Sequence, residues 1–402
     1  MKIYSLYQLL RTLLFAFLVS IILTNCSEDE QVAPQPEVLL SYDNLFSWSQ
    51  GNITTLLSLA GYGELSKYAE YDINVYEITY KTSYLNSEVI ASGLVTFPET
   101  ENLMPMMSFQ HGTMTKHTDA PTVDIGTYSL LSSLASNGYI FLVPDYIGFG
   151  SSTDILHPYY YAESTARTII DMLKAAEELT IQEGYSFSGE VFLSGYSEGG
   201  YATMAAHKAM EDAPVEGFTL IASAPASGGY DIKGMQEYFF SLDFYNDPYY
   251  LAFVALSYKN TYDWEQPLND FFQEPFVSEI PDYFDGSLSG GEINQRLTKK
   301  IAELVQPDLL ENIDTDEKYS YIVNAFEENS LDQWAPEKRM FLYHGTADIT
   351  VPYQNSVNTY ENMIGRGAST NIVTLIPLDG ADHSSGFIPY LIEFIEAFES
   401  LK

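Results

Sequence analysis

The sequence predicts an α/β architecture, with a mostly parallel central sheet flanked by helices on both faces and one aromatic-rich insertion. Three observations predict it. Near-continuous apolar runs alternate with helical segments over most of the chain, the pattern of strands buried on both faces. One such run, residues 191–193, feeds a glycine-bracketed serine and then an alanine-rich stretch. The alternation breaks between about residues 228 and 336, where aromatic residues crowd together.

The elements follow in order. Residues 71–80 (Y-D-I-N-V-Y-E-I-T-Y) alternate as a half-exposed strand does, 89–97 form its antiparallel partner, and the polar stretch 82–87 is the expected connection. Apolar strands follow at 104–109 and 139–143, ending at Gln110-His111-Gly112-Thr113 and at Pro144-Asp145. Between them, 128–136 has helical spacing and stops before Asn137-Gly138, a suitable C-cap. Residues 160–183 read as a long amphipathic helix with Ile169, Leu173, Ala176 and Leu179 available for burial. Strands at 218–222, 340–343 and 372–376 and a last helix at 387–398 complete the alternation. Residues 238–284 hold 16 aromatics in 47 residues, against 14% overall, which marks the insertion as a cap over a pocket. Most of these rings would glue the cap to the core, and a minority would line a channel.

Residues 191–200 read V-F-L-S-G-Y-S-E-G-G and contain G-x-S-x-G centred on Ser197. A strand before it and a helix after it are the context in which this pattern forms a nucleophile elbow. A serine in strained backbone tolerates only small neighbours two residues away, here Gly195 and Gly199. A serine hydroxyl is a poor nucleophile until a base takes its proton, so the elbow calls for a histidine and an acid. His383, in D-G-A-D-H-S-S-G, and Asp348, in H-G-T-A-D-I-T-V-P, follow the last two predicted strands. Loops leaving the carboxyl ends of strands are where sites in open α/β sheets gather.

The chain now resembles an α/β-hydrolase, and within that fold it is similar to the bacterial and fungal secretory lipases. The matching stretches are F-Q-H-G-T (109–113), V-P-D-Y-I-G-F-G-S-S (143–152), H-P-Y (157–159), G-Y-S-E-G-G (195–200), H-G-T-A-D-I-T-V-P (344–352) and D-H (382–383). The resemblance implies hydrolysis of carboxylic esters by a Ser197-His383-Asp348 triad, without cofactor or metal. The oxyanion hole would use the backbone N–H of Glu198 and that of Thr113, with Gly112 close behind. The Glu198 side chain would either orient the oxyanion loop or favour the helix N-terminus. His111 and His344 are expected to hydrogen-bond their own loops, and Asp145 with Gly148, Gly150 and Ser152 to form a structural turn. Asp379 and Asp382 could rival Asp348, while His117, His157 and His207 have no arguable partner.

Residues 1–25, with Lys2, Arg11 and an apolar run at 13–23, read as a secretory signal. Leu23-Thr24-Asn25-Cys26 resembles the lipobox of bacterial lipoproteins, although Asn25 stands where a small residue is usual. This implies that Cys26, the only cysteine, is lipidated and anchors an exported protein to the bacterial outer membrane. Ser27-Glu28-Asp29-Glu30 looks like the acidic export tag of surface lipoproteins in the Bacteroidetes. The organisation is then signal 1–25, acidic and proline-bearing tether 26–40, core 41–227, cap 228–336 and core 337–402. With 55 acids against 18 bases, the chain repels phosphate backbones, which argues against a nucleic-acid partner. The expected partners are a small-molecule or lipid ester and the membrane that holds the anchor. The alternatives are a serine peptidase or carbohydrate esterase on this fold, or a non-catalytic binding lipoprotein.

Overall fold

A computed structural model of the chain describes residues 37–402, built around a nine-stranded sheet in the order β1-β2-β3-β5-β4-β6-β7-β8-β9. The strands are β1 Leu39–Trp48, β2 Ile73–Tyr84, β3 Ser87–Pro98, β4 Met104–Gln110, β5 Ile140–Pro144, β6 Phe187–Tyr196, β7 Thr219–Ala226, β8 Arg339–Gly345 and β9 Val373–Leu378. From β5 through β4 to β9 every pairing is parallel, and β1, β2, β3 and β5 join antiparallel. The expected signal segment and Cys26 lie outside the described residues.

Alternation along the central strands explains the two-sided core. In β5, Ile140 and Leu142 join an apolar cluster with Ile169, Leu173 and Ala202, from the helices Ala162–Glu183 and Glu198–Asp212. Phe141 and Val143 face the other way, into a cluster with Phe192, Tyr390 and Phe394, closed by the helix Phe387–Glu399. Tyr390 also pins this helix to the sheet. Its hydroxyl accepts from the Gly195 N–H at 2.7 Å and donates to the Ala224 carbonyl at 2.8 Å.

Two readings of the early chain need correction. Residues 82–87 are not a loop: β2 runs on to Tyr84 and β3 starts at Ser87, leaving a two-residue turn at Leu85-Asn86 with φ of 48° and 62°. Thr82 and Tyr84 are buried despite their polar atoms, and the Thr82 hydroxyl donates to Asp171. The tether boundary at 40 is also too late, because β1 begins at Leu39. Three successive N–H groups, of Glu37, Val38 and Leu39, donate to the Glu178 carboxylate.

Between β7 and β8 the chain builds a separate helical layer, with Ile232–Phe240, Tyr249–Thr261 and Ser320–Asn329 among its longer members. This layer has its own apolar cluster, including Phe239, Phe253, Ile280 and Leu304, and Tyr159 of the core segment joins it.

Candidate active site

The elbow forms where β6 gives way to the helix Glu198–Asp212. Ser197 sits at φ 62°, ψ −123°, a region that costs a non-glycine residue roughly 1–3 kcal/mol. Its N–H donates to the Ala226 carbonyl at 2.9 Å, and its own carbonyl accepts from Gly200 and Tyr201. Glycine is required beside it: a β-carbon on Gly195 would collide with the Gly199 carbonyl, and one on Gly199 with the Gln110 carbonyl. The neighbouring backbones pack with no room for a side chain.

The loops after β8 and β9 bring Asp348 and His383 to this serine. His383 Nε2 lies 2.9 Å from Ser197 Oγ, and Nδ1 lies 2.6 Å from Asp348 Oδ2. A carboxylate only accepts, so Nδ1 carries the imidazole proton and Nε2 offers its lone pair to the serine hydroxyl. The other Asp348 oxygen, Oδ1, accepts from the backbone N–H groups of Thr350 and Val351, both at 3.0 Å. Burial pushes the Asp348 carboxyl up, but the bonds from His344 and His383 outweigh it and leave the group below its ordinary value. Asp348 is therefore an ionised acceptor with both oxygens engaged.

The other candidates serve structure. Asp382 is exposed and its carboxylate accepts from Ser384 and Ser385; Asp379 is exposed as well. Asp145 is fully buried and accepts from Ser92, and from Thr122 through both its N–H and its hydroxyl. A β-carbon on Gly150 would collide with Asp145, so this glycine lets the turn close over the carboxylate. His344 bonds Ser356 Oγ at 2.6 Å and the Val351 carbonyl at 2.9 Å, and its Nε2 lies 3.4 Å from Asp348. His111 Nδ1 donates to the Gly112 carbonyl at 2.8 Å, and burial lowers its affinity for a second proton.

Around the expected oxyanion hole, Glu198 is the first residue of its helix, where an N–H has no intrahelical acceptor. A β-carbon on Gly112 would lie 3.6 Å from Ser197 Cβ, so the loop after β4 runs directly beside Ser197. Thr113 Oγ1 is 2.9 Å from the Tyr159 hydroxyl. The sequence reading missed the partner of His157: its Nε2 is 2.6 Å from Glu198 Oε1, in a buried pair. Nothing local in the sequence announces a contact between residues 41 apart. His207 likewise has partners, Ser223 and Glu211. His117 sits against Gly286 of the helical layer, its backbone N–H donating to that carbonyl.

Ser197 lines a cavity of about 110 Å³ whose walls extend into the helical layer between β7 and β8. Its walls are almost entirely apolar, and include Tyr160, Ile232, Val254, Trp264, Leu309 and Phe326. Among the described residues, no group of three or more His, Cys, Asp or Glu is arranged to hold a metal ion.

A family model for secretory lipases matches residues 114–224. No curated protein matches the sequence. Among solved structures, the chain is similar to a Legionella pneumophila protein provisionally described as a hydrolase. Identity is 27%, covering 91% of this chain and 98% of that one, with a TM-score of 0.82. It is also similar to the ligand-bound form of LipA, a rice cell wall degrading esterase from Xanthomonas oryzae. There identity is 26%, covering 89% and 95%, with a TM-score of 0.76. Candida antarctica lipase A shares the fold at 14% identity, covering 90% of this chain and 82% of that one, with a TM-score of 0.66. In fold the chain is an α/β-hydrolase, and it resembles the secretory lipases.

Proposed function

We propose that the protein is a serine hydrolase that cleaves carboxylic esters of apolar acyl groups through an acyl-enzyme. The observation that carries this reading is the chain of hydrogen bonds from Ser197 through His383 to Asp348, with Ser197 on the wall of an apolar cavity. Ser197 Oγ attacks the ester carbonyl as His383 Nε2 takes its proton. Asp348 keeps the imidazole in the tautomer this requires and stabilises it when charged. The negative charge on the carbonyl oxygen is met by the N–H groups of Glu198 and of the 112–113 loop, each worth about 3–4 kcal/mol in the transition state. His383 then protonates the leaving alcohol, and water attacks the acyl-enzyme by the same route.

The cavity favours an acyl chain over the alternatives. A sugar ester or a peptide needs buried polar partners, and these walls offer few. The test is labelling with a fluorophosphonate, followed by rates on p-nitrophenyl esters from acetate to laurate and on aminoacyl anilides. Labelling of Ser197 with rates rising along the ester series supports the reading. Absence of labelling in the folded protein, or a preference for anilides, rejects it.

Val254 lies on the wall of the cavity, within the cap helix Tyr249–Thr261. Val254→Trp is expected to shorten the space by about four methylenes. At ~0.8 kcal/mol each, that lowers the laurate-to-acetate ratio of kcat/KM about 200-fold. An unaltered ratio would remove the cavity from the substrate path.

We further propose that Cys26 is lipidated and tethers the enzyme to the outer membrane. The support is the sequence around it. Metabolic incorporation of a labelled fatty acid, lost in Cys26→Ala, is the expected result.

A further inference from the structure

Residues 157–159 (H-P-Y) contribute nothing to the triad, yet they hold both residues expected to supply the oxyanion donors. His157 and Glu198 are buried at 5% and 3% exposure, and their side chains meet at 2.6 Å. Among the described residues, the second Glu198 oxygen, Oε2, is buried without a hydrogen-bond partner, and His157 is the side chain's one polar anchor. Two residues on, the Tyr159 hydroxyl meets Thr113 Oγ1 at 2.9 Å.

The segment is itself rigidly seated. His157 Nδ1 lies 2.6 Å from the Ile147 carbonyl, which only accepts, so Nδ1 carries a proton. The contact from Nε2 to Glu198 then needs one more hydrogen, on the ring or on the carboxyl. The His157 backbone packs on Gly148 so closely that a β-carbon there would lie 2.6 Å from His157 Cα. Tyr159 is stacked on Phe253 of the cap, with ring centroids 4.4 Å apart and planes 9° apart. The cap's Ser257 hydroxyl donates to the Tyr159 carbonyl.

We propose that residues 157–159 are a clamp that fixes the two halves of the oxyanion hole, His157 acting through Glu198 and Tyr159 through Thr113. This deepens the esterase reading and rests on it. An oxyanion hole acts on charge that develops in the transition state. Loss of the clamp therefore falls on kcat and spares KM. His157, Tyr159 and the Glu198 carboxyl are positioning groups, because none needs to touch the reacting atoms.

The test compares Glu198→Leu, Glu198→Gln, His157→Leu and Tyr159→Phe on p-nitrophenyl butyrate. It also measures the inhibition constant of an alkyl trifluoromethyl ketone, whose hemiketal mimics the oxyanion. Glu198→Leu and His157→Leu are expected to lower kcat about 100-fold with KM within threefold. Glu198→Gln recovers most of what Glu198→Leu loses, because its amide N–H supplies the hydrogen that His157 Nε2 needs. Tyr159→Phe lowers kcat about tenfold, and the inhibition constant rises in step with each loss of kcat. The clamp is overturned if Gln is no better than Leu, or if the losses appear in KM while the ketone binds normally. Should the leucine variants fail to fold, Tyr159→Phe, which deletes a single hydroxyl, decides by the same split. Fluorophosphonate labelling of the unaltered protein separates the two levels. No labelling rejects the hydrolase itself, whereas a labelled enzyme whose variants keep full kcat rejects only the clamp.

Discussion

Ser197→Ala is expected to lower ester hydrolysis by about 10⁵-fold or more while leaving the melting temperature unchanged or raised. Loss of a nucleophile that acts as a unit with its base removes nearly all covalent catalysis, leaving only what binding and the oxyanion donors contribute. Stability should not fall, because alanine keeps the same β-carbon at φ 62° and the deleted hydroxyl is satisfied only by His383 among the described residues. The check is kcat on p-nitrophenyl butyrate beside a thermal melt. A variant that melts normally and retains more than about one thousandth of the activity would place the nucleophile elsewhere.

Asp348→Asn is expected to cost about 10⁴-fold in kcat. The geometry says why so small a change costs so much. The N–H groups of Thr350 and Val351 both point at Oδ1, so the oxygen of an asparagine amide must stay on that side. Its NH₂ then faces His383 Nδ1, which has to accept. The imidazole proton moves to Nε2, where it confronts the serine hydroxyl instead of receiving its hydrogen. A residual rate within tenfold of the unaltered enzyme would exclude Asp348 as the orienting acid. The same substitution changes the acid limb of stability. Because the Asp348 carboxyl is held below its ordinary value, its contribution is present in full above that value and is lost as pH falls through the lowered one. Denaturation curves for the two proteins should therefore diverge at neutral pH and converge in strong acid.

The parts of the site that were legible in the sequence were those written in short, punctuated motifs. Ser197 announces itself because the elbow demands glycine at positions where neighbouring carbonyls leave no space. Asp348 and His383 follow from strand ends, since β8 and β9 deliver them by loops of a few residues. What stayed hidden depends on contacts between distant segments. The reading of Thr82 and Ser83 as loop failed because strand pairing with Val89 and Glu88 outweighed their polarity. The turn at Leu85-Asn86 also lacks the usual glycine. Strand β1 was unread because register shifts at Leu39/Ser41 and Asn44/Phe46 break its two-residue period. His157 looked idle because its partner lies 41 residues away and the pair is defined only by the fold.

The outermost position of β9 has a consequence for how the molecule fails. The imidazole hangs from the loop that follows this strand, which pairs with β8 on one side and, among the described residues, borders no strand on the other. Margins of a sheet fray at lower free-energy cost than its middle. Tyr390, bridging Gly195 and Ala224, is the rivet that resists peeling of the helix behind it. Gentle heating should thus silence turnover while most of the circular dichroism signal survives, and prompt cooling should restore it.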